Sequence, residues 1–154
     1  MNLYKLIVTF FFIGNIRIAP GTIASFATVI IFYAFAKYFN VFSFMLTISA
    51  ITLLSFLAVG SYTTDLLEKD KSEIVIDEVI GQSIALLPLL IFVENTSPKF
   101  FMCLISLLFF RFFDIVKPFP INKIDKMNNT FGVIFDDVLA GISAALLLTF
   151  VLRF

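Results

Sequence analysis

Histidine is absent from this 154-residue sequence, and cysteine occurs once, as Cys103. Without histidine the chain lacks the usual general base, the usual zinc ligand and any chemistry that passes through a phosphohistidine. A single cysteine excludes an internal disulfide and a cysteine metal cluster. Any catalysis therefore has to use carboxylates, lysine, arginine, hydroxyl groups or a metal ion.

Charge is also scarce. Only 14% of the residues are charged, 60% are hydrophobic, and eleven acidic residues balance eleven basic ones. A soluble domain of this length needs far more polar surface, so the apolar excess predicts residence in a membrane. The balanced charge excludes a generally basic surface for nucleic acid. We expect no nucleic-acid partner, and the sequence predicts no protein partner.

Charge-free stretches locate the membrane spans at residues 18–36, 38–64, 79–93, 100–110 and 138–152. A helix needs about 20 residues to cross the hydrocarbon core. The first two stretches suffice, with Pro20 and Gly21 delaying the first helix to about Thr22. The other three reach spanning length only if neighbouring acids and bases enter the membrane boundary.

The long unbroken apolar runs indicate helices rather than alternating strands. We expect one all-α domain over residues 1–154, built as a polytopic transmembrane helical bundle of about four or five spans. Residues 3–13 are too short to span, and predict a short N-terminal interfacial or re-entrant helix.

The basic residues predict an orientation. With five spans, three of the eleven lie on one side and eight on the other, together with the N-terminus. The eight are Lys5, Arg17, Lys69, Lys71, Arg111, Lys117, Lys123 and Lys126. An excess of lysine and arginine marks the cytoplasmic side.

Two polar patches begin predicted helices. In residues 19–25, Thr22 and Ser25 offer hydroxyls at a helix N-terminus, which is a ready anion site, although a simple capped helix start is the alternative. In residues 74–82, Asp77 and Glu78 lie in an apolar run. They could be a solvated helix start, favoured by the helix dipole, but their apolar neighbours leave little solvated face.

Two further patches combine charge with apolar surroundings. Arg111, Asp114 and Lys117 follow at i+3 spacing on one helical face, before Pro118 ends the helix. They form either a salt-bridged stripe or a carboxylate between two cations, suited to hold a metal and a phosphate. Asp136 and Asp137 open the last span, where adjacent like charges repel unless a cation neutralises them.

The last span also carries a small-residue face, which favours helix packing rather than chemistry. The five carboxylates come from three helix ends on one membrane side. Clustered oxygen ligands without histidine or cysteine favour Mg²⁺, and adjacent bases favour a phosphate group. The residues therefore predict metal-assisted chemistry on a phosphorylated lipid, without choosing between hydrolysis and transfer.

Four motifs in the chain, APGT followed by Ser25, IVIDEVIGQ, FRFFDIVKPFPI and GVIFDDVLAG, resemble in order and spacing the phosphatidylglycerophosphatase A family. The resemblance implies removal of the terminal phosphate of phosphatidylglycerophosphate to give phosphatidylglycerol, in phospholipid biosynthesis. It also implies Mg²⁺ dependence and a place in the bacterial inner membrane. The sequence departs from the family in having only Gly14 ahead of APGT and only Gly132 ahead of the double aspartate, which affects loop geometry and lipid preference.

When the functional positions of the family are carried over motif by motif, the resemblance implies seven functional residues in this chain. It also implies a loop shaped by Pro20, Gly21 and Thr22. The seven are Asp77, Glu78, Arg111, Asp114, Lys117, Asp136 and Asp137. The resulting hypothesis makes the five carboxylates catalytic, and four of them ligands of one or two Mg²⁺ ions. Those ligands are Glu78, Asp114, Asp136 and Asp137, and the expected substrate-binding residues are Arg111, Lys117, Thr22 and Ser25.

Rival functions remain open on the sequence alone. A small ion-coupled transporter would use the acids as a cation site. Acids on one helical face at both membrane depths would favour a transporter, whereas the acids of this chain lie near one boundary. A head-group transferase would have an early DGxxAR pattern, which is not present. A non-catalytic scaffold leaves the clustered acids unexplained. Cys103, in an apolar span, is interpreted as packing.

Overall fold

The computed structural model of the chain describes residues 3–38, 40–63, 72–92, 100–127 and 129–154, and their regular secondary structure is entirely helical. The helices are α1 (Leu3–Val8), α2 (Pro20–Phe35), α3 (Val41–Tyr62), α4 (Ile76–Phe92), α5 (Phe100–Val116), α6 (Ile121–Asp125) and α7 (Thr130–Arg153). The predicted all-α fold is confirmed for these residues. Three bases of the charge count, Lys69, Lys71 and Lys99, lie outside them, as do the ends of two predicted spans at Thr64 and Val93.

Three helical segments are long and apolar enough to cross a membrane: Pro20–Tyr38, Val41–Tyr62 and Thr130–Arg153. Helices α4 and α5 have 17 residues each, which corresponds to about 25 Å at 1.5 Å per residue. Large apolar side chains such as Leu53 and Leu57 point outward from the bundle, at 65% and 61% exposure. Such a surface fits a hydrocarbon environment.

Two helices begin earlier than the sequence predicts. Helix α2 starts at Pro20, not at about Thr22, because proline suits the first helical position, where its missing N–H costs nothing. Helix α7 starts at Thr130, after Asn129 accepts a hydrogen bond from the Gly132 amide at 2.7 Å. The double aspartate therefore lies nearly two turns inside α7 instead of opening it.

Hydroxyl groups inside the helices are satisfied locally. Ser25, Thr28, Ser55 and Ser83 each donate to the carbonyl four residues earlier, at 2.7–2.9 Å. A hydroxyl that is bonded in this way has no free O–H donor, and the side chain presents mainly its carbon atoms to its surroundings. The helices can therefore carry serine and threonine within an apolar environment.

Helix α4 is the centre of the bundle, and it packs against α2, α3, α5 and α7. The α4–α7 contact is close because glycines meet there. A Cβ on Gly81 would come within 2.5 Å of the Asp137 carbonyl oxygen and of the Phe110 ring, and a Cβ on Gly141 would collide with Gly81. Ala140 and Ala144 of α7 are fully buried beside this crossing. The predicted packing role of the small-residue face is confirmed.

The direction of the helices brings four of their ends together. Helices α2, α4 and α7 begin at this common end, and α5 finishes there. The short helix α1 is present and packs against α3, and the Val8 carbonyl at its end accepts from the Val75 amide at 2.9 Å. Its interfacial placement stays a prediction.

Replacing Gly81 with alanine should destabilise the protein. The new Cβ has no room beside the Asp137 carbonyl, and such overpacking costs about 1–3 kcal/mol in the free energy of unfolding. Gly60→Ala is the matched control, because its Cβ would meet Thr130 Oγ1 at an ordinary 3.8 Å. Thermal unfolding in detergent measures both. Equal midpoints for the two variants would contradict the close α4–α7 contact.

Candidate active site

A polar cavity of about 560 Å³ lies where α2, α4 and α7 begin and α5 ends. Six acidic and three basic side chains line it, together with small and apolar residues of α2, α7 and the connecting segments. The lining residues are Ala19, Pro20, Gly21, Thr22, Ser72, Ile74, Asp77, Glu78, Arg111, Asp114, Lys117, Asp125, Lys126, Met127, Gly132, Val133, Asp136 and Asp137.

Three carboxylates of this cavity converge from α4 and α7. Asp77, Glu78 and Asp137 each contribute an oxygen, and these oxygens all lie within 4.8 Å of one another. Asp77 is 8% exposed and Asp137 is 4% exposed. Carboxylates this close and this buried repel and lose their hydration, so a cation or a proton has to lie among them.

The other two predicted carboxylates have cationic neighbours. Arg111 Nη1 lies 2.7 Å from Asp114 Oδ2, one turn along α5, so the predicted i+3 pair is formed. That contact is close enough for an ion pair, yet Nη1 and Nε make no aligned hydrogen bond among the described residues. Buried guanidinium N–H groups without acceptors are suited to an anion such as phosphate.

Lys117 lies outside the helical stripe that the sequence predicts. Helix α5 ends at Val116, and Lys117 has a left-handed backbone with φ of 44°. Its ammonium donates to Asp136 Oδ2 at 2.7 Å and also to Asp125. Burial opposes its charge, but the hydrogen bonds to Asp125 and Asp136 outweigh burial and raise the pKa of Lys117. The side chain is therefore a fixed cation in the cavity wall.

The start of α2 approaches the acids closely. A Cβ on Gly21 would collide with the Glu78 carboxyl group and would lie 3.4 Å from Arg111 Nη1. A larger residue at this position would force the Glu78 carboxyl group to move. Ala19, just before the helix, has a φ of 46°, an unfavourable conformation for a residue with a side chain. Backbone strain of this kind concentrates at functional sites.

The charge of the cavity indicates what it can bind. Six carboxylates face three cationic side chains, which leaves an excess of three negative charges. The donor atoms of the acids are oxygens, the hard ligands that Mg²⁺ and Ca²⁺ prefer. The acidic cluster could therefore hold a metal ion, and the basic residues of the same wall could hold an anion beside it.

Most of the predicted site residues are brought together. The five carboxylates, Arg111, Lys117 and Thr22 all line the cavity. Ser25 does not belong to the lining; it is fully buried one turn further along α2, and its hydroxyl donates to the Gly21 carbonyl. Asp77, Glu78 and Asp137 form the group whose oxygens converge, and we call it the metal-ready group. Asp114 and Asp136 lie against Arg111 and Lys117 instead.

Sequence reasoning missed Asp125 and Lys126, which line the cavity from the end of α6. Asp125 forms an ion pair with Lys117. Both residues belong to the polar connection that the charge count assigns to the site side. Their position in that connection was the one feature of the sequence that could have indicated a place in the site. No spacing rule connects Asp125 to Lys117, because a turn and the short helix α6 separate them.

Comparisons with known proteins give one matching family and two similar proteins. The sequence profile of the family described as Phosphatidylglycerophosphatase A matches residues 6–152. The chain is 35% identical to Phosphatidylglycerophosphatase A of Haemophilus influenzae, over 95% of this chain and 86% of that protein. It is 33% identical to a Putative phosphatidylinositol-3-phosphatase of Bacteroides thetaiotaomicron, over 93% of this chain and 89% of that protein. No solved structure matches the chain.

A divalent cation should stabilise the purified protein through the acidic group of α4 and α7. At a concentration 100 times the dissociation constant, binding adds about 2.7 kcal/mol to the free energy of unfolding. Asp137→Asn should abolish the rise in the thermal midpoint on adding Mg²⁺ or Mn²⁺. Glu73→Gln is the control, because Glu73 lies outside the lining and bonds Tyr62 at 2.6 Å. An equal response in both variants would contradict cation binding at the cluster.

Proposed function

Because the chain belongs to the phosphatidylglycerophosphatase A family, we propose that it removes the terminal phosphate of phosphatidylglycerophosphate and leaves phosphatidylglycerol. The reaction is a hydrolysis of a phosphoric monoester on a membrane lipid. The polar cavity is the active site, and it needs a divalent ion, for which Mg²⁺ is our assignment.

One observation carries the proposal. The cavity combines acids that require a cation with bases that retain donors for an anion, at the end of an apolar helical bundle. A metal ion and a lipid phosphate satisfy both requirements together. A cation site alone would explain the acids but not the buried Arg111 Nε, which has no hydrogen-bond partner among the described residues.

Asp77, Glu78 and Asp137 are the residues that would hold the ion, since their oxygens already converge. Asp114 and Asp136 border this group and complete the catalytic carboxylates. When bound, a divalent ion supplies Lewis-acid polarisation of the phosphate and stabilises charge in the transition state.

The chain's own residues orient the substrate. Arg111 donates through Nε to a phosphate oxygen while Nη1 stays paired with Asp114. Lys117, fixed by Asp125 and Asp136, adds a second positive charge beside the phosphate. Thr22 and the amides at the start of α2 contact the same phosphate. Ser25 acts through the helix start, by holding the Gly21 carbonyl.

Asp136 is our choice for the general base. Lys117 bonds its Oδ2, whereas its Oδ1 is buried and has no hydrogen-bond partner among the described residues. The lysine therefore fixes the carboxylate and leaves one oxygen for a water molecule. Asp136 Oδ1 accepts a proton from that water as the water oxygen bonds to phosphorus and the P–O bond to the lipid glycerol breaks. The proton then passes from Asp136 to the departing glycerol oxygen, which leaves as a hydroxyl group.

The placement in the membrane completes the proposal. Helices α4 and α5 cross the membrane together with α2, α3 and α7, which gives five spans. The membrane boundary then lies at the polar ends of α4 and α5. The excess of basic residues at the site end supports a cytoplasmic orientation of the cavity, and the bacterial inner membrane is the location that the family resemblance implies.

A second head group has to be considered. The name of the Bacteroides thetaiotaomicron relative refers to phosphatidylinositol 3-phosphate, whose phosphate is also a monoester on a lipid. Both substrates present the same group to Arg111 and the metal ligands. The head-group preference therefore has to be measured. A transporter is not favoured, because the described cavity acids lie at one end of the bundle.

Phosphate release tests the function. Purified protein with Mg²⁺ should release phosphate from phosphatidylglycerophosphate, and the same assay with phosphatidylinositol 3-phosphate measures the head-group preference. Glu78→Gln and Asp136→Asn should each lower kcat/KM about 100-fold or more, the usual cost of losing a fixed electrostatic group at a reacting centre. Glu73→Gln should stay within a factor of about two.

Three results would contradict this scheme. Full activity after removal of divalent ions would exclude the metal, and unchanged rates in both variants would exclude the carboxylates. Folded protein that releases phosphate from neither lipid would exclude the function.

Cysteine labelling tests the orientation. Cys103 is fully buried, so a Cys103→Ser background removes only an inaccessible thiol. On that background, Lys37→Cys should react with a membrane-impermeant maleimide in spheroplasts, and Lys123→Cys should react only in inverted vesicles. Both lysines are exposed and lie at opposite ends of the bundle. The reverse pattern would place the cavity on the other side of the membrane.

A further inference from the structure

A second cavity, of about 150 Å³, lies between α2, α3 and α4, and Phe10 of the segment after α1 also lines it. Its walls are almost entirely hydrocarbon, and include Phe32, Phe44, Ile48 and Val79. The polar cavity already described shares none of its lining residues. It is a separate feature of the fold, and nothing in the proposed chemistry uses it.

Three hydroxyl-bearing residues border this apolar cavity, but their donors are occupied. Thr28 donates to the Ala24 carbonyl at 2.9 Å, Thr47 to the Ser43 carbonyl at 2.9 Å, and Ser83 to the Val79 carbonyl at 2.7 Å. A water molecule needs two to four polar partners to be stable in a cavity. This lining provides hydrocarbon instead, so an apolar group is the suitable occupant.

The apolar cavity is positioned for a lipid bound at the polar one. Thr28 follows Gly21 by seven residues, which is two turns and about 10 Å along the same face of α2. On α4, Val79 directly follows Glu78. Ile31, one of the lining residues, is 48% exposed on the outer surface of the bundle. The cavity therefore borders the outer surface, about two turns of α2 away from the phosphate site.

We propose that this cavity binds a segment of one acyl chain of the lipid whose phosphate occupies the polar cavity. The proposal rests on the proposed function, and it adds a site for the hydrophobic part of the substrate. An apolar cavity of about this volume accommodates benzene, so the space suits roughly six carbon atoms. An acyl segment in the cavity gives its lining residues the dispersion contacts that an empty cavity lacks, and it holds the head group at a fixed depth.

Ser83→Leu tests the site by filling the cavity with a side chain. We expect kcat/KM for a dioleoyl substrate to fall about tenfold, and kcat/KM for a dibutanoyl substrate, whose tails end before the cavity, to stay within twofold. Ser49→Leu is the matched control. Ser49 has the same hydroxyl-to-carbonyl bond, to Met45 at 2.9 Å, but it is exposed on α3. Thr47→Leu fills the cavity from the opposite wall if Ser83→Leu does not fold.

A cross-link gives a readout that needs no turnover. A dioleoyl lipid phosphate with a diazirine in one chain should label peptides that contain Thr28 or Thr47 in wild type and Ser49→Leu, and at least fivefold less in the cavity-filling variant. Equal losses for both chain lengths, or unchanged labelling in Ser83→Leu and Thr47→Leu, would overturn the acyl-chain site. Absence of phosphate release from both substrates by wild type would instead overturn the function, and labelling would still decide the cavity.

Discussion

Carboxylates crowded at the end of apolar helices cannot stay charged without cations among them. Removing an ion from water costs several kcal/mol even after the protein relaxes, and like charges at short distance add to that cost. The chain brings six acids to one cavity and gives it three bases. Lys117 neutralises two of these acids, and Gly21 at the start of α2 leaves space for the carboxyl group of a third, Glu78.

The protein divides these acids into groups by giving cations to some and not to others. Arg111 lies against Asp114, and Lys117 binds Asp136 and Asp125, so these acids have a partner within the chain. Asp77 and Asp137 have no such partner among the described residues and share their space with Glu78. This division leaves one compact acidic group that could hold a metal ion, and it keeps Arg111 and Lys117 beside that group rather than within it.

Much of this could be predicted from the sequence because the chemistry is concentrated in motifs. Asp77, Asp114 and Asp137 stand out as acids in apolar runs, and the direction of alternating spans places them at one end. The partners were harder to predict. The i+3 rule assigned Lys117 to the stripe of Arg111, but the rule applies only within a helix, and α5 ends at Val116. Asp125 reaches Lys117 through a turn, and turns have no residue spacing that predicts a side-chain contact.

The position of the metal-ready group follows from helix packing. Gly81 and Gly141 meet where α4 and α7 cross, and these two helices run in the same direction from the site end. Asp77 precedes Gly81 by four residues, and Asp137 precedes Gly141 by four, so each acid lies about one turn from the crossing on its own helix. Any side chain larger than hydrogen at the crossing would push the helices apart and with them the two carboxylates. The small residues that allow the bundle to pack thus also set the distance between the acids, so the stability of the bundle and the geometry of the acidic group depend on the same contact.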